Sequence, residues 1–120
     1  MRIFAKGIVA DTLTLKAGTD VLKLKYRFNA DANWAKVNKI RLDMFQESEK
    51  ENPDAIKIGS LTLDLFVLVF GKDCTDQLLK FFEGSFESLI KNISPVFKYD
   101  IYPACAKARK RAIKERKAMK

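Results

Sequence analysis

Between positions 8 and 28 apolar and polar residues alternate with a period of two. Leu13 and Leu15 on the first run, and Val21, Leu22, Leu24, Tyr26 and Phe28 on the second, flank Ala17-Gly18-Thr19-Asp20, while Lys23, Lys25 and Arg27 fill the intervening positions. Alternation around a short Gly-bearing turn predicts a β-hairpin with one wet and one buried face. Two strands alone are marginal, so the buried face must lie on helices that follow.

The period then changes. Trp34, Val37, Ile40 and Met44 recur at helical spacing after the cap-forming residues 29–31, and the polar run from Gln46 to Asn52 ends the pattern, which predicts a helix over about 31–50. Pro53-Asp54 suits a second helix start. Its body is ambiguous, because Leu61-Thr62-Leu63-Asp64-Leu65 alternates like a strand while Ile58, Leu61, Leu65, Leu68 and Val69 suit a helix apolar nearly all round. The length from Pro53 to Gly71 favours a buried helix closed by that glycine. Asp73 or Thr75 can cap a third helix carrying Leu78, Leu79 and Phe82 and closing at Gly84. Ser85 can cap a fourth with the stripe Phe86, Leu89, Ile90, Ile93 and Phe97. Pro95 and Pro103 each remove a backbone donor, predicting a kink near Ser94 and a fresh helix from Pro103 to about Ala118.

These elements define an α+β, predominantly α fold: an N-terminal β-hairpin over about 8–28 packed on four to five helices, with a projecting basic C-terminal helix. With 120 residues, 48% of them hydrophobic, the chain holds one core. We read residues 1–103 as a single globular domain and 104–120 as a basic helical extension. The longest apolar run, Leu61 to Phe70, is shorter than the roughly 18 to 20 residues that span a bilayer, and positions 1–7 lack a signal-peptide pattern. A soluble intracellular protein is expected.

Charge changes this picture at one end. Lys107, Arg109, Lys110, Arg111, Lys114, Arg116, Lys117 and Lys120 face one acid, Glu115, so 104–120 carries +7 of the net +8. Spaced about 100° apart on a helix, Ile101, Ala104, Cys105, Ala108, Ala112, Glu115 and Met119 share a sector holding no Lys or Arg. That dry, small-residue side suits close approach to another helix. Ile101, Cys105, Ala108, Ala112 and Met119, together with Phe82 and Phe86, form the candidate partner or oligomer surface. The basic residues are a candidate phosphate-contacting face. The sector lacks the Trp, Phe or Leu that anchor membrane-surface helices, so no membrane role is expected.

Candidate chemistry is sparse. The chain has no histidine, and its two cysteines, Cys74 and Cys105, lie far apart, which removes Ser-His and Cys-His nucleophile systems and the usual zinc sites. Both thiols are expected reduced. The five glycines never cluster into a phosphate loop. Asp73 with Asp76, and Glu47 with Glu49 and Glu51, are acidic groups whose simpler readings are helix capping and a solvated polar segment. Phe81, Phe82, Phe86 and Phe97 interleave with Lys80, Lys91 and Lys98 as base-stacking residues do, yet they also fall on the core stripe. No catalytic, metal or cofactor residues are assigned.

The succession Tyr26-Arg27-Phe28-Asn29, Leu68-Val69-Phe70-Gly71, Phe81-Phe82-Glu83-Gly84-Ser85, Pro95 and Ile101-Tyr102-Pro103 before a basic end resembles the small tail assembly chaperones of long-tailed phages and prophages of Gram-positive bacteria. The likeness covers most of the chain and is best over 56–120. It implies a non-enzymatic assembly factor that binds the long helical tape measure protein and keeps it soluble while tail tube subunits polymerise. It further implies residence in the host bacterial cytoplasm, absence from the mature virion, a longer frameshifted product in many members, and self-association in some. Nucleic-acid binding through the basic helix is the alternative reading.

Overall fold

Gly18, with φ +63°, opens the two-residue turn that reverses the hairpin, as a glycine does at the first central position of a tight β-turn. The computed structural model describes residues 3–5, 7–83 and 85–118. The hairpin strands, labelled here β2 (Ile8–Ala17) and β3 (Asp20–Asn29), pair in antiparallel register from Ile8↔Asn29 to Ala17↔Asp20. A short strand that the hydrophobic pattern did not signal, β1 (Ile3–Ala5), pairs with the start of β2 and gives a sheet of order β1-β2-β3. One face of the hairpin buries Val9, Leu13, Leu15, Tyr26 and Phe28 in the core. The opposite face exposes Lys16, Lys23, Lys25 and Arg27.

Helix α1 (Ala30–Ser48) follows β3 directly, its first turn capped by the Asn29 side chain accepting from Ala32 N–H at 3.1 Å. Helix α2 (Ala55–Phe70) begins at Asp54, whose carboxylate accepts from the Ile56 and Lys57 amides. Residues 61–70 are helix throughout. Thr62, which made them look strand-like, is buried and donates its hydroxyl to the Ile58 carbonyl at 2.8 Å. Helix α3 (Lys72–Phe81) starts earlier than the acids suggested. Gly71 occupies the cap position at φ +85°, the Thr75 hydroxyl donates to its carbonyl, and Asp73 sits in the first turn. Ser85 does cap α4 (Phe86–Val96).

The expected fresh start near Pro103 appears as a change of helix type at Tyr102 rather than as a break in the helical path. Pro95 lies inside α4, and helical backbone continues through a π turn at Phe97–Ile101 into α5 (Tyr102–Ala118). Pro103 explains the π turn, because it offers no N–H to Tyr99 and its ring crowds that carbonyl. Widening the turn, so that Tyr102 N–H reaches the Phe97 carbonyl, relieves the conflict without stopping the helix. The expected boundary between 103 and 104 therefore falls inside α5.

The basic helix docks before it projects. Arg41 of α1 lies 3.7 Å over the Tyr102 ring, and Asp31 pairs with Arg111, so α1 and α5 run antiparallel. Ile101, Cys105 and Ala108 are buried, Ala112 is half-buried, and residues 113–117 are exposed. The α-carbon trace spans 55 × 43 × 20 Å, about as thick as one helix layer on one sheet.

Candidate functional site

The dry sector of α5 is spent within the chain. Ile101, Cys105 and Ala108 are at most 2% exposed against the body, where the small residues permit close approach to α1 and the isoleucine contributes about 1.5–3 kcal/mol of burial. Phe82 is also buried, Phe86 is half-buried, and Met119 and Lys120 lie outside the described residues. Among the described residues of the candidate partner surface, only Phe86 and Ala112 keep substantial accessibility. The basic side chains Lys107, Arg109, Lys110, Lys114, Arg116 and Lys117 are exposed, while Arg111 is tied to Asp31 at 2.5 Å.

A different surface is open. A groove of about 800 Å³ runs between α1, α2, α4 and the π turn. Its floor is Phe66 and Phe97, two buried rings stacked at 5.3 Å between centroids, continued by Phe70 and Tyr26 into the core. Met44 from α1, Ile58 and Leu65 from α2, and Ile90 and Pro95 from α4 form its walls. Arg41, Lys91 and Lys98 line it as cations, and among the described residues no carboxylate does. Tyr99, which also lines it, is 65% exposed and lies under the Lys98 ammonium at 5.4 Å.

Periodicity placed Phe97 and Ile90 on an apolar stripe and noted Lys91 and Lys98 beside them. It placed Met44 and Ile58 on separate helical stripes without bringing them to this groove, and it missed Arg41 and Tyr99, because their convergence depends on how α1 and α2 lie against α4. A smaller groove of about 600 Å³, on a different face of the α1–α2 pair, carries Ala35, Ile40, Val67 and Leu68 with charges of both signs, Lys36, Lys39 and Asp64.

Reactive chemistry is muted. Burial pushes the Cys105 thiol up to about 11, with Arg41 pulling slightly the other way, and raises Cys74 as well. Both are buried thiols rather than nucleophiles at neutral pH. Tyr102 is likewise raised by burial, opposed by Arg41. Among the described residues no three His, Cys, Asp or Glu side chains come together to hold a metal ion. Glu47, expected in a solvated acidic run, is instead 4% exposed and clasped by Lys50 at 2.6 Å and Lys57 at 4.0 Å, closing the α1–α2 connection. No helix among the described residues is long and apolar enough to cross a membrane. No family model, curated protein or solved structure matches the chain.

Proposed function

We propose that this chain is a non-enzymatic tail assembly chaperone of a long-tailed phage or prophage, binding the tape measure protein in the host bacterial cytoplasm and leaving before the virion is complete. The groove carries this reading, since an apolar channel walled by helices and rimmed by Tyr99 is suited to shield the apolar stripe of a partner helix. The sequence resemblance supplies the partner. Contact with tail tube protein and self-association belong to the same reading, and the exposed Phe45 and Ile56, at 61% and 86%, offer further apolar surface for them. Co-expression with the long helix-rich product of the adjacent downstream reading frame tests it. The expected result is a soluble complex that survives size-exclusion chromatography, and a partner that stays insoluble beside abundant chain contradicts it.

One observation favours phosphate binding as a second reading. The wet face of the hairpin presents Lys16, Lys23, Lys25 and Arg27 with no acid, adding to the exposed basic side of α5. Neutralising several phosphates makes affinity fall steeply with salt, with a slope of roughly −0.9 per phosphate on duplex DNA. A gel-shift series over salt with this slope supports the second reading, and no retardation at low salt removes it.

A further inference from the structure

We infer that the groove between α1, α2, α4 and the π turn is the docking site for an amphipathic helix whose flanks are acidic. This rests on the chaperone reading and specifies the chemistry of the partner segment. The argument is one of shape and charge. Positions 58 to 66 of α2, which form one wall, advance about 12 Å at about 1.5 Å per residue, the length of roughly two turns of a docked helix. Two turns present anchors at i, i+3, i+4 and i+7, and the stacked Phe66 and Phe97 give those anchors an apolar floor. The walls are helices and no strand lines the groove, so an added β-strand has no backbone edge to pair with.

Charge fixes the flanks. Arg41, Lys91 and Lys98 surround the apolar floor, and none of the three joins a salt bridge among the described residues, whereas Lys39, Lys50, Lys57 and Arg111 each have a carboxylate. A Lys- or Arg-flanked helix laid there meets three like charges, and a Glu- or Asp-flanked one meets three opposite ones. Such complementarity selects between partners more strongly than it raises affinity. The smaller groove on the other face, with Asp64 opposing Lys36 and Lys39, has no such preference. Tyr99 and Arg41 are of the residue types that dominate binding energy at interfaces, and both stand at this rim.

Two synthetic peptides of about 20 residues, with the same leucines at i, i+3, i+4 and i+7 but either Glu or Lys on the flanks, test the assignment by fluorescence anisotropy. The whole chain is expected to bind the Glu-flanked peptide at least roughly tenfold more tightly at about 50 mM salt, with the gap narrowing as salt rises. The double variant Lys91→Glu, Lys98→Glu should reverse that order, and Tyr99→Ala should weaken both peptides by about tenfold. All three altered side chains are exposed, and unchanged thermal melts by circular dichroism show that the fold is intact. Equal binding of the two peptides, binding of neither, or a preference that survives the double reversal overturns the proposal. So does a homodimer that the reversal dissociates, since the occupant is then a second copy of the chain. Binding of the Glu-flanked peptide without capture of the tape measure protein leaves the groove assigned and removes the chaperone reading. Capture that is indifferent to the reversal does the opposite.

Discussion

At Gly7 the absence of a side chain lets the sheet, α1 and α5 meet. Its carbonyl accepts from the Ala30 amide at 2.6 Å, its φ is +75°, and a β-carbon built there would stand 2.5 Å from the Asp31 carboxylate carbon. That carboxylate is the one that holds Arg111. Gly7→Ala is therefore expected to cost about 1–3 kcal/mol, through left-handed strain and displacement of Asp31, measured as a lowered urea midpoint at unchanged slope. Cys105 gives a pH signature. Below the ordinary thiol value of 9.0 it is neutral whether the chain is folded or not, and its contribution is fully present. Between there and about 11 the unfolded chain gives up the proton while the folded one keeps it, so stability falls as pH rises. Urea midpoints across that window should fall less in Cys105→Ala than in the parent. Local roles of this kind are partly legible in sequence. Gly18 and Ser85 announce themselves by their neighbours, whereas Gly7 does not, because what it accommodates lies at positions 31 and 111.

Among the elements, the hairpin follows from periodicity because it has one dry and one wet face, and the first helix because its apolar residues recur at helical spacing. The second helix was ambiguous for a physical reason: α2 buries Thr62, Leu65, Phe66, Val69 and Phe70 at helical spacing, but its exposed side also carries apolar residues such as Ile56 and Val67, which blurs the period. The proline signals misled in the opposite direction. Pro103 reads as a fresh helix start, but a π turn lets it remain within one helical path, and no local pattern distinguishes the two outcomes. Charge and periodicity correctly made α5 one-sided, while leaving open whether the dry side meets the body or a partner. Its docking on α1 predicts that Ala108→Leu, by overpacking a site 2% exposed, costs about 1–3 kcal/mol. Limited trypsin digestion within 107–117 should accelerate in that variant. Unchanged digestion and stability would place the first half of α5 away from α1.

At the scale of the whole molecule the chain is a thin slab. Its radius of gyration of 15.7 Å exceeds the roughly 13–14 Å expected of a rounded domain of this length, and thinness leaves large apolar side chains such as Phe45 and Tyr99 at the surface. Neither the shape nor the groove was legible in the sequence, since both arise from the way separately predictable helices are laid side by side. An open apolar channel with a one-signed rim is the feature on which the proposed cover for a partner helix rests. The direct test is to dilute the urea-unfolded tape measure protein into buffer and follow its light scattering as the chain is added. Suppression that is complete near a fixed stoichiometry, and that is weakened by the Lys91→Glu, Lys98→Glu double variant, is the predicted result. Scattering unchanged by excess chain would contradict the account.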